Sequence, residues 1–233
     1  MRLESRQHLL YAASLLVMAA LSTFFYHQFN RQWVLFRKAE SFFYQQQFGQ
    51  AILFYRASLA KDPNNETAMR HLGDAYLANG DFSEALLLFE GIVQKRLGDP
   101  QAVFKLARLY DQFGRVEKAI DLYSRHEDLW SNNPRSMTHL ADLFSRIGAY
   151  EKAESLYRQA LSLDPDAIDA RLKLAELLSW MKQYDRSIEI YQQVLQADPD
   201  NRPARIGLAR ALSWSGRLPE AIEQYQRALG ETK

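Results

Sequence analysis

The sequence predicts an all-α protein, an α-solenoid of about six helix-turn-helix repeats preceded by one N-terminal transmembrane helix. Three observations predict it. Aromatic residues stand on one lattice of 34, at Tyr55, Phe89, Tyr123, Tyr157, Tyr191 and Tyr225, with no insertion between them. Small residues keep the same step in two further columns, so the period is structural. Ahead of the lattice, the run from Leu9 to Phe29 contains no Asp, Glu, Lys or Arg.

Residues 1–8 are a short tail carrying Arg2 and Arg6. The apolar run 9–29 has about the length a helix needs to cross roughly 30 Å of hydrocarbon. Leu9, Leu10, Leu15, Leu16, Val17, Leu21, Phe24 and Phe25 supply its anchor. A cleaved signal peptide is the alternative reading, because Ala20 and Ser22 flank Leu21 with small side chains. Thr23-Phe24-Phe25-Tyr26 argues against it by continuing the apolar run. Arg2 and Arg6 on one side nearly balance Arg31, Arg37 and Lys38 on the other. A short basic tail before an apolar run is the layout of a signal anchor, which exports the domain attached to its C-terminal end. The expected location is the cytoplasmic (inner) membrane, single-pass, with the repeats on the periplasmic side. No Gly or Pro occurs between His8 and Gln47, so the spanning helix is expected to run into the first repeat helix as one rod. Tyr26, Trp33 and Phe36 fall where an interfacial aromatic belt would sit, or else Trp33 and Phe36 pack inside the first repeat.

The repeats occupy 32–233, with units near 32–65, 66–99, 100–133, 134–167, 168–201 and 202–233. Sixteen residues before each lattice aromatic is a small residue, Ala39, Gly73, Ala107, Ala141, Ala175 or Ala209. Three further on comes Phe42, Tyr76, Tyr110, Phe144, Leu178 or Leu212. Four residues before the aromatic lies Ala51, Ala85, Ala119, Ala153, Ser187 or Ala221, one helical turn away on the same face. Each repeat therefore holds two helices. Gly80, Gly114, Gly148 and Gly216 break them in the middle of the unit. Asp62-Pro63, Asp99-Pro100, Asn133-Pro134, Asp164-Pro165 and Asp198-Pro199 separate the units, with Asp or Asn expected to cap the next helix. The third repeat departs from the pattern by placing His126 where the fourth and sixth have Ala160 and Ala228, so its second helix is expected to be short or distorted. Lys38 replaces the Leu of later repeats, as on a terminal face. The sixth repeat is expected to be left without a covering polar helix, so that either a partner covers that end or it frays.

This pattern of small and aromatic residues in a 34-residue helical hairpin strongly resembles the tetratricopeptide repeat family, including its bacterial membrane-anchored members. The resemblance implies a right-handed superhelix whose first helices line a concave surface. It implies no particular partner, because the signature residues are packing residues. On that surface, one place beyond the small column, stand Glu40, Asp74, Arg108, Asp142, Glu176 and Arg210. Read functionally, this charged stripe is a partner-binding groove with an acidic majority, suited to basic or polar segments; otherwise it is solvated surface. Leu178-Ser179-Trp180 and Leu212-Ser213-Trp214 add two Trp side chains one repeat apart, either a platform for a peptide or sugar chain or packing on the neighbouring hairpin. The clamp by which some relatives hold chaperone tails is disfavoured, because Glu40 and Asp74 would repel a carboxylate.

Composition narrows the function classes. Lys plus Arg is 29 and Asp plus Glu is 28, so no basic surface announces nucleic acid. There is no Cys, hence no disulfide, thiolate metal site or cysteine nucleophile. His8, His27, His71, His126 and His139 show no metal-ligand spacing, and neither a phosphate loop nor a nucleophile elbow occurs. The expectation is a non-enzyme with no cofactor, no metal and no catalytic residue. Its leading function is a membrane-anchored scaffold that binds a protein partner and supports assembly of a membrane or envelope complex. The lipid bilayer is the second partner, and a glycan held on the Trp pair is the alternative.

Overall fold

The computed structural model describes residues 15–23, 31–95 and 99–230. These residues are helical with short turns, and no strand occurs among them. The stretch 15–23 is helix, with Leu15, Leu16, Val17, Met18 and Leu21 exposed. No helix among the described residues is long and apolar enough to cross a membrane. The rest of the expected span, including Leu9, Leu10, Phe24 and Phe25, lies outside the described residues, as do Tyr26 and the junction to the first repeat helix.

The chain divides into two compact units, 1–97 and 98–233. The first contains α1 (Arg31–Tyr44), α2 (Phe48–Leu59), α3 (Glu66–Asn79) and α4 (Phe82–Gln94). Its core joins Ala39 on α1 to Ala51, Ile52 and Tyr55 on α2 and to Leu72 and Ala75 on α3. Phe36 is part of this packing, 5.8 Å from the Tyr55 ring. Trp33 instead stays half-exposed with the Arg37 guanidinium over it.

The second unit contains α5 (Pro100–Gln112), α6 (Val116–Arg125), α7 (Glu127–Trp130), α8 (Pro134–Arg146) and α9 (Tyr150–Leu163), then α10 (Ile168–Trp180), α11 (Tyr184–Ala197), α12 (Arg202–Trp214) and α13 (Leu218–Leu229). Tyr157 packs with Ala141, Ala153, Leu174 and Leu178, and Tyr191 with Ala175, Leu208 and Leu212. Each lattice aromatic thus fills the space that the small columns leave where helices cross closely. Burial of the column is complete at Tyr55, Phe89 and Tyr123 and nearly so at Tyr157 and Tyr191, but Tyr225 on α13 is 38% exposed.

The turn inside each hairpin is one structure repeated six times. Its central residue has positive φ at Gly80, Gly114, Gly148 and Gly216, and equally at Gln46 and Lys182, which hold the same lattice position. The next residue's N–H then bonds back across the helix end, as Asp81 to Tyr76 (2.9 Å) and Gln183 to Leu178 (2.8 Å). This is the Schellman closure, which satisfies carbonyls the helix itself leaves unpaired. An L side chain in this conformation costs about 1–2 kcal/mol. Lys182→Gly is therefore expected to stabilise the protein by about 0.5–1 kcal/mol after the entropy of the freer unfolded chain is subtracted, read as a higher urea midpoint.

One expectation about helix ends needs correction. Asp99 and Asn133 do cap α5 and α8, accepting the N–H groups of Gln101 and Ser136 with Pro in the first turn. Asp62, Asp164 and Asp198 do not cap. Their side chains accept the N–H two residues on (Asn64, Asp166, Asp200), which folds the chain into a local turn and delays the helix start. Asn65 and Asn201 then supply the caps of α3 and α12.

The distortion expected in the third repeat takes a definite form. The second helix stops at Arg125, His126 leaves helical geometry, and α7 restarts as a single turn. In that lattice column Ser58, Ile92, Ala160 and Val194 are buried, whereas here Trp130 swings in instead. Its ring meets Tyr123 edge-on at 5.7 Å, and its indole N–H donates to the Tyr123 carbonyl at 2.6 Å. The indole both fills the gap and caps the broken helix.

Candidate functional site

The first helices of the second unit carry an open cavity of about 560 Å³. One wall comes from α5 and α8, with Phe104, Arg108, Arg135 and His139; the other comes from the turn before α10 and its first turns, with Asp164, Asp169 and Lys173. Asp111 and Asp142 also line it.

The charged stripe is placed on these first helices, but most of its members are engaged within the protein. In the first unit Glu40 accepts from the Tyr55 hydroxyl and contacts His71 Nδ1 at 2.6 Å. In the second, Asp142 accepts from the Tyr157 hydroxyl and from Lys173 Nζ at 2.7 Å. Glu176 accepts from Arg210 at 3.3 Å. Asp74 is likewise not free. Two of these carboxylates therefore stitch their own hairpin's aromatic to a basic residue 31 positions later. The sequence carries the signal in a basic column of the same period, Arg37, His71, Lys105, His139 and Lys173, which the small and aromatic columns do not bring out.

Arg108 differs from the rest of the stripe. It and Arg135 are exposed, and their guanidinium carbons lie 5.9 and 5.7 Å from the centre of the same Phe104 ring. Neither forms an ion pair among the described residues. Asp111, one turn along α5, is occupied by Arg146 and by His139 Nε2 at 3.4 Å. Arg135 escapes a reading of the sequence because it belongs to none of the lattice columns that stand out there.

Burial pushes the Tyr191 hydroxyl up to about 12 and raises those of Tyr55, Tyr123 and Tyr157 further, so all four remain neutral at ordinary pH. His139 is held at both nitrogens. Asp111 can only accept, so Nε2 carries the hydrogen, and Nδ1 accepts from the Tyr123 hydroxyl at 3.0 Å.

Burial lowers the His139 pKa, with Arg108 adding to the effect, and this outweighs the opposing pull of Asp111 and Asp142. A depressed histidine disfavours protonation in the fold. Stability is therefore full above the unfolded value of about 6.5 and falls as pH drops below it. The expected loss is at most about 1.4 kcal/mol per pH unit for this one proton. Urea midpoints of wild type and His139→Gln, compared between about pH 7 and 5, should show this component only in wild type.

Trp180 and Trp214 close α10 and α12 and are 47% and 48% exposed, so neither ring is packed away on a neighbouring hairpin. Arg210, one turn before Trp214, has a buried Nε without a hydrogen-bond partner. Among the described residues no group of three His, Asp or Glu side chains could hold a metal ion.

Sequence models of the tetratricopeptide repeat match residues 36–100, 72–134, 148–193 and 181–233. No curated protein sequence matches the chain. Among solved structures, a tetratricopeptide repeat protein from Parabacteroides merdae superposes with a TM-score of 0.77 at 20% identity, covering 87% of this chain and 80% of that one. MamA from Desulfovibrio magneticus RS-1 superposes at 0.66 with 16% identity, over 72% of this chain and 95% of that one. A further MamA structure gives 0.64 at 22% identity, over 71% and 91%. At these identities the likeness is one of fold.

Proposed function

Because the chain belongs to the tetratricopeptide repeat family, we propose that it is a non-enzymatic scaffold, anchored in a membrane, whose first helices receive a segment of a protein partner. The observation that carries this reading is the open cavity on α5, α8 and α10, where exposed charged side chains stand beside His139 and Asp142, which are held by the buried Tyr123 and Tyr157. A site whose supporting side chains are locked by packing suits recognition, because little ordering is lost on binding. The uncharged run 9–29 provides the anchor, and the exposed apolar side chains of 15–23 are consistent with a lipid surrounding. The partner belongs to a membrane or envelope complex reached from the periplasmic side of the cytoplasmic membrane.

Capture from a detergent extract with the full chain, compared with a chain carrying Arg108→Gln, Asp169→Asn and Trp180→Ala, tests the scaffold. Loss of specific co-purifying proteins from the triple variant is expected. Identical recovery from both would remove the first helices as the binding surface. Protease protection in intact and permeabilised cells tests the topology; cleavage of the repeats only after the cytoplasmic membrane is breached would overturn the periplasmic assignment.

The half-exposed pair Trp180 and Trp214 favours one second reading, a glycan stacked on the indoles. Tryptophan fluorescence titrated with a glycan panel decides it, and an unchanged spectrum throughout rejects it.

A further inference from the structure

We propose that the α5–α8–α10 cavity takes a protein segment by a carboxylate seated on the Arg108–Phe104–Arg135 stack, with a basic residue beside that carboxylate facing Asp164 and Asp169. The inference rests on the scaffold reading and names the chemistry of what the scaffold binds. It reverses the expectation drawn from the sequence, in which an acidic majority selects basic segments.

The reversal comes from which charges remain available. Asp142 is taken by Tyr157 and Lys173, and Asp111 by Arg146 and His139. Those carboxylates hold the hairpins together and have little left to offer a ligand. Among the described residues Arg108 and Arg135 contact the Phe104 ring and form no ion pair. A guanidinium over an aromatic ring keeps its N–H groups available at the edge of its plane, and Arg108 and Arg135 both lie near the Phe104 ring. Each such fork matches a carboxylate bidentately.

The opposite wall decides between acidic ligands. Asp169 and Asp164 line it, and among the described residues the Asp164 side chain accepts only the Asp166 N–H in its own turn. Two carboxylates there repel a polyanion such as nucleic acid. A peptide can carry opposite charges on neighbouring residues, so it can place an acid against the arginines and a base against the aspartates. The exposed side chains at its rim and a volume of about 560 Å³ admit a few side chains of an extended segment.

The test measures fluorescence anisotropy of labelled short peptides with the full chain in detergent. The probes are an alternating Glu-Lys peptide, an all-Glu peptide and an all-Lys peptide. The alternating peptide should bind most tightly, and R108Q/R135Q should weaken it by at least about tenfold, while R108K/R135K recovers only part because Lys lacks the planar fork. Circular dichroism of each variant confirms the fold, and the exposure of both side chains makes misfolding an unnecessary concern for the Lys pair. Equal affinity for wild type and R108Q/R135Q, tighter binding of the all-Lys peptide, or no binding of any acidic peptide by wild type would each overturn the proposal. Proteins captured equally from extract by wild type and R108Q/R135Q would remove this site while leaving the scaffold standing. Capture of nothing by wild type would remove the scaffold itself.

Discussion

Tyr157→Ala is expected to cost about 3–5 kcal/mol, while Tyr225→Ala, in the same sequence column, costs about 1 kcal/mol or less. Tyr157 is 2% exposed and packed between two hairpins, against Ala141 and Ala153 on one side and Leu174 and Leu178 on the other. Removing the ring leaves a cavity that helices anchored by other contacts cannot close. It also leaves Asp142 with Lys173 alone. Tyr225 is 38% exposed, and Leu218, Ile222 and Leu229 on the same helix are exposed with it. Its ring is already partly in water, so little is lost. Urea unfolding of the two variants beside wild type measures the difference. Tyr157→Phe separates the hydroxyl's share from that of the ring.

The second large effect comes from two glycines that respond oppositely to the same substitution. Gly207→Ala is expected to destabilise by about 1–3 kcal/mol. A Cβ there would sit well inside van der Waals contact with the Tyr191 ring, which is 3% exposed and walled in by Ile188 and Leu208. The better helix propensity of Ala, about 1 kcal/mol, is outweighed by that overlap. Gly91→Ala on α4 meets nothing within 4 Å and is expected to stabilise by about 0.5–1 kcal/mol. Thermal midpoints that move in opposite directions confirm both assignments. A Gly207→Ala protein as stable as wild type would mean that the Tyr191 ring moves aside freely, contrary to its packing.

Particular residues explain why some of this is legible in the sequence. The Schellman turns are visible at Gly80 and Gly114, because glycine advertises positive φ, and invisible at Gln46 and Lys182, where the surrounding helices impose the same conformation on ordinary residues. The break at His126 is foreseeable from a large polar residue in a column that is otherwise Ser, Ile, Val or Ala. That Trp130 repairs it is not, since four residues of chain can place an indole inward or outward and only the Tyr123 carbonyl decides. Capping by Asp99 and turn formation by Asp164 look alike in sequence, because both precede proline.

The binding surface is half legible. The charged stripe lies on the first helices, where it is expected, yet its chemistry changes once pairing is known. A carboxylate count cannot distinguish Asp142, consumed by a partner 31 residues on, from a carboxylate that faces a ligand. The apolar span 9–29 rests on sequence and membrane physics, because most of it lies outside the described residues.

The sequence by itself determined the period, the helical hairpin as the repeating unit and the identity of the packing residues, since close helix crossings demand small residues opposite large ones at fixed spacing. Only the tertiary structure decided which members of each column are equivalent in energy and which charges remain free. Burial and ion pairing depend on neighbours that come together only in the folded hairpins, so Tyr225 differs from Tyr157, and Arg108 from Asp142, for reasons no column can display.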